Sequence, residues 1–467
     1  MILVNGQTKW DLKRCVEYAI ANNISVKQAD VQARLAELSL KQSRLSQYPS
    51  LNLGANTAIN GGRSIDPTTN LFTIQQIHSA GFSLQTNMSL FNWFSIRNNI
   101  AGNEFDTEAA RAGVDKLKND ISLNVATSYL LVLVSQEQAN ISEVALQQTL
   151  QNLNNVKKRV DAGSLPILNL AEIEAQLARD SSALVTARST VQQNILQLKA
   201  LLNLDAAEPF EVEMPPLDQI PVESLASLQP ETVYALAVAN FPQQKVNNLR
   251  IKAAEKYASS ARGQMYPSLS MFGGLGTNYS NFKSPTGVVR TPTGTFETTD
   301  ALVTVGTTDY FVKTPVYNTV VNSGTDPFGL QFSDNFRSNI GVSLSIPVFN
   351  WGNAKTAWKR SLLNVENLEL QKDLDSRTLK QDIYRAYNDA TAAIQKFAAS
   401  KKSVETAQRA YDFSQKRYDL GLLPTIDFLI NQNNLTRAKV ELALAQVDYV
   451  FRLKLLEFYK GMGIRLQ

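Results

Sequence analysis

Cysteine and histidine are almost absent from this chain: Cys15 and His78 are the only ones among 467 residues. One cysteine excludes an intrachain disulfide, and one Cys with one His argues against a soft-ligand metal site within one chain. Cys15 falls in a helical pattern beginning at Trp10 and reads as a small buried residue. It lacks the small-residue context and leader of a lipid-modified cysteine. No run of about 20 apolar residues occurs, which excludes a membrane-spanning helix. Charged residues make up only 19% of the chain, the net charge is +4, and the basic residues are scattered, so no nucleic-acid partner is expected. Hydrophobic content of 44% places the chain outside the disordered class. A Gly-rich phosphate loop, a Ser-His-Asp set and a metal cluster are all missing. The expectation is therefore no enzyme, no catalytic residues, no metal and no cofactor. The opening Met1–Gln7 is too short for a signal peptide and is compatible with a secreted precursor whose leader was removed.

Proline is also missing over two long stretches, 93–161 and 351–419. Gly102 and Gly113 are the only glycines inside the first. A helix of that length spans roughly 100 Å at 1.5 Å per residue, too long for a compact domain. Each stretch ends in a matching tip. Lys158-Arg159-Val160-Asp161-Ala162-Gly163-Ser164-Leu165-Pro166 is repeated as Lys416-Arg417-Tyr418-Asp419-Leu420-Gly421-Leu422-Leu423-Pro424. A basic pair in the last turn, Gly as a left-handed C-terminal cap and Pro beginning the next helix read as a stop and restart. The chain thus holds two helical hairpins with sharp tips.

The duplication covers nearly everything. Residues 10–22 read as a short helix, and Ser25 can cap a second helix to about Gln47. Tyr48-Pro49-Ser50-Leu51 is echoed by Tyr266-Pro267-Ser268-Leu269, an offset of 218, as Ala19–Asn22 is by Ala237–Asn240. Period-two segments follow. Phe82, Leu84, Met88 and Leu90 face one way, with Ser83, Gln85, Asn87 and Ser89 on the other face. In the second half Ile340, Val342, Leu344, Ile346 and Val348 alternate with Gly341, Ser343 and Ser345. Phe91-Asn92-Trp93 is echoed by Phe349-Asn350-Trp351 at an offset of 258, so the second strand pair carries about 40 more loop residues. The resulting organisation is repeat 1 (1–204: strand pair 49–91, long helix 93–161, tip 162–166), a Pro- and acid-rich linker (205–229), and repeat 2. Repeat 2 (230–467) has strand pair 266–349 with a long loop 277–335, long helix 351–419 and tip 420–424. The returning helices share a seven-residue seam: Leu435, Leu442, Tyr449 and Leu456 match Leu177, Leu184, Val191 and Leu198.

Four strands cannot close a barrel, yet no helix in the pattern is left to cover their apolar face. Either they pack as a small soluble sandwich, or several chains share one barrel whose apolar face meets lipid. Apolar-out, polar-in alternation over about ten residues is the pattern of a membrane barrel strand, and closure removes the sheet edges that lipid forbids.

Over essentially its whole length the chain resembles the TolC family of outer-membrane efflux channels. The resemblance is carried by the Trp10 start, both Tyr-Pro strand starts, both Phe-Asn-Trp strand ends and the paired Gly-x-Leu-Pro tips. It implies a mainly α fold with a membrane β-barrel portion and two tandem structural repeats. Four strands per chain would complete a 12-stranded barrel in a homotrimer, and long antiparallel coiled-coil hairpins would form a periplasmic tunnel. It further implies an outer-membrane location in a Gram-negative bacterium, contact with outer-membrane lipid, a periplasmic adaptor protein, and an inner-membrane transporter of RND or ABC type. The expected function is the exit duct of a tripartite efflux or type I secretion system, gated at its tips. A rival from another class is a soluble coiled-coil scaffold that conducts nothing; it must cover Ile340, Val342, Leu344 and Ile346 with protein.

The same resemblance nominates site residues. Asp427 matches the constriction-ring Asp of the family; three copies around one axis would select and bind cations. It also reads as a first-turn acid favoured by the helix dipole. Ile430 occupies the place of a second ring Asp. Tyr418 matches a tip-latch Tyr whose partner corresponds to Asn169, while Leu423 replaces a latch Arg, so a neutral Tyr–Asn latch of about 1 kcal/mol per bond is expected. Gly163, Leu165, Pro166, Gly421, Leu423 and Pro424 turn the chain and would offer adaptor hairpins an apolar surface.

Overall fold

The computed structural model describes residues 9–65, 72–213, 220–281 and 284–461. The Met1–Gln7 start and Pro215 and Pro216 of the linker lie outside the described residues. In chain order come α1 (Leu12–Asn22), α2 (Ile24–Leu45), β1 (Ser50–Ile65), β2 (Phe72–Phe91), α3 (Ser95–Asp161) and α4 (Ile167–Leu202). Then follow α5 (Pro230–Asn240), α6 (Pro242–Gly263), β3 (Ser268–Ser280), β4 (Ser284–Val305), β5 (Thr308–Gly324), α7 (Phe328–Asp334), β6 (Arg337–Ser345), α8 (Asn353–Asp419) and α9 (Thr425–Tyr459). The two long helices have the same length, 67 residues. The chain divides into a helical unit, comprising the residues through Lys41, Asn99–Ala258 and Lys359 onward, and a sheet unit of Gln42–Asn98 and Ser259–Trp358.

Several local expectations change in detail. Asn23, not Ser25, caps α2: the helix already begins at Ile24, and Asn23 Oδ1 accepts from Ser25 N at 2.9 Å. Trp10 stays outside α1, which Asp11 caps, and instead bridges to Val212. The long helices begin two residues later than expected, since Trp93, Phe94 and Trp351 take left-handed φ values of 51–60° that turn the chain first.

In the helical unit, Leu12, Cys15 and Ala19 of α1 pack with Val125, Tyr129 and Val132 of α3, Leu198 and Leu202 of α4, and Val447 and Val450 of α9. A second core joins Val233 and Ala237 of α5, Leu379 and Ile383 of α8, and Leu453 and Leu456 of α9. Every residue of the seven-residue seam is buried or half-buried. Each fully buried Leu there contributes about 1.5–3 kcal/mol. Gly102 is required by close packing: a Cβ there would meet the Tyr257 ring at 2.6 Å, where Tyr257 OH donates to Asp106 at 2.7 Å.

The segment expected as a linker is part of this packing. Trp10 N donates to Glu211 O and Glu213 N to Trp10 O, both at 2.9 Å, while Val212, Ile220 and Leu228 are buried. The buried Lys199 ammonium donates to the carbonyls of Ala206, at 2.8 Å, and Glu208. Prolines break helix here without preventing burial of the apolar residues between them.

Lys460 clamps the same segment, donating to Glu223 at 2.9 and 3.1 Å. That hydrogen bond holds the Glu223 carboxyl below its ordinary value. A depressed folded-state value adds stability above the ordinary carboxylate range, and the addition disappears as pH falls through the folded value. Glu223→Gln should therefore lower the melting temperature relative to the parent at neutral pH, with the gap closing in acid below about pH 4. A gap that stays constant across that range would show that the charge is not what the clamp uses.

In the sheet unit, β1, β2, β3 and β6 form one antiparallel sheet in that order. Among the described residues β4 and β5 pair only with each other. The region 277–335, expected as a loop, is thus largely a long hairpin followed by α7. β6 stops at Ser345, because Pro347 has no N–H for the ladder; Ile346 and Val348 lie beyond the strand. A bulge between Ser89 and Phe91 leaves Leu90 as the extra residue and sets Phe91 opposite Leu269.

Candidate functional site

The four-stranded sheet has two chemically opposite faces. Register places Leu53, Leu84 and Leu275 in line, then Met88, Met271 and Val342, then Leu269 and Leu344, all on one face. Among the described residues most of this apolar face is bare: Leu53 is 79% exposed and Ile340 80%. The opposite face carries Asn52, Ser83, Gln85, Asn87, Gly274 and Asn339, which line a shallow polar depression. Gly341 on this face is held to hydrogen by the Phe272 ring, which a Cβ would meet at 2.6 Å. The sequence alternation therefore gives one greasy wall and one mostly polar wall, with Phe272 and Arg337 among its small residues. Among the described residues no helix is long and apolar enough to cross a membrane, and no group of acidic, His or Cys side chains is placed to hold a metal ion.

The second candidate region is the pair of helical tips. Each long helix ends in a Schellman turn. Gly163 N donates to Val160 O at 2.9 Å and Ser164 N to Arg159 O at 2.8 Å; Gly421 N and Leu422 N repeat this with Tyr418 O and Arg417 O. Gly163 and Gly421 have φ of 70° and 73°, which L side chains resist. Pro166 and Pro424 sit at the N-cap, with ψ near 150°, rather than at the first helical position expected.

Tyr418 and Asn169 come together, though not directly. Asn169 Nδ2 donates to Thr425 Oγ1 at 2.6 Å, and that hydroxyl donates on to Tyr418 OH at 3.4 Å. The expected Tyr–Asn bond is thus replaced by a relay through Thr425, a residue that sequence reasoning missed because it reads as an ordinary helix start. The Tyr418 ring stacks on Phe428 with centroids 4.7 Å apart, inside a small core with Val156, Ile173 and Leu429. Leu165 and Leu423 pack against this core and are only half-exposed. The exposed apolar tip residues are others: Ile167 at 77% and Leu420 at 74%, with Leu168 and Leu422 close behind. Apolar side chains facing inward at these turns leave their neighbours to face solvent. Asp427 lies in the first turn of α9 and is exposed.

Behind the tips a polar chain ties the two hairpins together. Gln432 Nε2 donates to Thr149 Oγ1 at 3.0 Å, and Thr149 donates to Asp180 Oδ2 at 2.7 Å. Gln176 Nε2 donates to Asp180 at 2.8 Å and to Asn433 at 3.0 Å. Gln176, Gln432 and Thr149 are buried. The available signal was positional: Gln432 and Gln176 fall on the buried stripe, beside Leu435 and Ile173, where an apolar residue belongs.

Comparison with known proteins gives a consistent result. The family model described as outer membrane efflux protein matches residues 15–204 and 233–461, most of the chain in two stretches. The chain is 21% identical over 448 residues to the outer membrane protein TolC of Escherichia coli K12, covering 94% of this chain and 80% of that protein. It is 22% identical over 434 residues to the outer membrane efflux protein BepC of Brucella suis, covering 92% and 81%. Among solved structures, the outer membrane protein VceC of Vibrio cholerae superimposes with a TM-score of 0.74 at 16% identity, over 97% of each chain.

Proposed function

The chain belongs to the outer membrane efflux protein family, and from that premise we propose that it is the exit duct of a tripartite efflux or type I secretion system. The supporting observation is the bare apolar strand face backed by a small polar one. Three copies joined edge to edge supply twelve strands, put Leu53 and Ile340 against outer-membrane lipid, and line a watery lumen with Asn, Ser and Gln. Residues 1–204 and 230–467 act as two repeats, joined by 205–229, whose hairpins build a periplasmic tunnel. The work is passive conduction and gating; an RND-type or ABC-type transporter supplies energy and selects cargo.

Gating belongs to the tips. Tyr418, Thr425 and Asn169 form the neutral latch between hairpins of one subunit. Three Asp427 carboxylates ring the axis and hold cations at the constriction. An adaptor docks on the apolar tip surface, where Gly163, Pro166, Gly421 and Pro424 set the turns, Leu165 and Leu423 brace them, and Ile167, Leu168, Leu420 and Leu422 make contact.

Planar-bilayer recording on the purified protein tests this reading. The parent should conduct weakly, with block by divalent cations from the tip side; Asp427→Ala should relieve the block and raise resting cation current several-fold. Currents that never appear under any condition would remove the duct. Parent currents that Asp427→Ala leaves unchanged would remove only the ring.

A further inference from the structure

At one end of the sheet the short helix α7 is strapped onto β3. Thr277 Oγ1 donates to Phe332 O at 2.8 Å, and Asn335 Nδ2 donates to Asn278 O at 2.7 Å. Gln331 completes the strap by exchanging two bonds with the backbone of Ser280, both at 2.9 Å. Phe332 meets the Phe82 ring at 5.9 Å and Phe328 the Tyr279 ring at 5.4 Å. Phe82 and Thr277 are register partners on the apolar face, in line with Leu84 and Leu275. So α7 lies on the greasy side of the sheet. Yet Phe328, Leu330, Phe332 and nearby Phe336 remain 43–56% exposed.

The other end of the same face carries a second aromatic group. Trp93 packs on Tyr266 at 4.9 Å and on Phe91 at 5.5 Å. Along β2, Phe82 and Phe91 are nine residues apart. At about 3.4 Å per residue and a tilt near 40°, that step rises roughly 23 Å. An outer-membrane barrel has an apolar band about 25 Å tall between two aromatic girdles.

We propose that α7 is an interfacial anchor: it lies in the headgroup–acyl boundary of the lipid leaflet at that end of the barrel and forms one of the two girdles. The occupant of its exposed face is phospholipid or an equivalent lipid headgroup region, because this face is continuous with the lipid-facing strands. Aromatic rings with a wet side and a dry side fit that boundary. The proposal rests on the barrel reading above.

Nitroxide labels test both separately, in a Cys15→Ala background with the full chain in phosphatidylcholine vesicles. Labels go at Leu330→Cys on α7, Val342→Cys on β6 and Thr308→Cys at the start of β5, beside the β4–β5 turn. Accessibility to oxygen and to a water-soluble nickel chelate reports depth. Val342 should read deep in the acyl region and Thr308 fully aqueous. Leu330 should fall between them, with an oxygen-to-nickel ratio several-fold above that of Thr308. A Leu330 label matching Thr308, or shielded from both reagents by protein, overturns the anchor while leaving the barrel. An aqueous Val342 overturns the barrel itself.

Discussion

Val342→Arg should nearly abolish trimers in the outer membrane, whereas Ser343→Arg, one residue away, should leave them intact. Val342 shares the apolar face with Met271 and Met88, and Ser343 faces the opposite way, paired with Ser270. An arginine near the middle of a lipid-facing strand costs about 2–4 kcal/mol. Threefold repetition multiplies that cost in each assembly. The same charge on the polar face meets water and costs little there. Instead it should shift ion selectivity toward anions, because a ring of three guanidiniums would line the lumen. The readouts are the yield of heat-dissociable trimer in outer-membrane fractions and the reversal potential in a salt gradient. Equal loss of trimer in both variants would mean that the two faces are equivalent, which contradicts a barrel with one lipid-facing and one lumen-facing wall.

The second large effect is expected at the tips. Thr425→Val keeps the shape of the side chain but removes its hydroxyl, which accepts from Asn169 and donates to Tyr418. Losing a hydrogen bond while leaving a partly buried amide unsatisfied costs about 1–3 kcal/mol. If the relay holds the closed arrangement, that energy is a shift of roughly 5–150-fold per subunit toward the open one. Resting conductance should rise accordingly. Asn169→Ala should act in the same direction but less, since the Thr425–Tyr418 bond survives. Phe428→Ala should cost about 3–5 kcal/mol of tip stability by removing the ring on which Tyr418 stacks. A Thr425→Val protein with parental resting conductance would assign the relay to packing alone.

Much of this architecture was legible because the physical signals were long and clean. Uninterrupted stretches without proline marked both 67-residue helices. Period-two alternation over β2 and β6 showed which side chains share a face except at Leu90, Ile346 and Val348, which a bulge and the strand end take out of the ladder, and the repeated Gly-x-Leu-Pro marked both tips. What escaped had short or broken signals. In the β4–β5 hairpin, Pro292 and Gly294 and the register shifts at Pro292/Phe296 and Thr298/Leu302 destroy the alternation, so a ladder read as loop. The segment 205–213 looked like a linker because Pro209 and four acids outweigh the single buried Val212. At the tips, the family resemblance nominated Tyr418 and Asn169 as latch partners but not the hydroxyl between them. Which leucine faces inward depended on the Schellman turn: Leu423 turned toward Phe428 and Leu420 away from it.

The central claim is that the unpaired edges, β1 and β6, are completed by other copies of the chain and that the ring closes at three. Disulfide trapping across that junction tests it most directly. Single cysteines at Leu53 on β1 and, in turn, at Ile340, Val342 and Leu344 on β6 would be combined in a Cys15→Ala background and oxidised in the membrane. The account predicts one favoured pair that yields linked dimers and then trimers, with nothing larger. A ladder running past three chains, or no intermolecular bond at any pair, would contradict it.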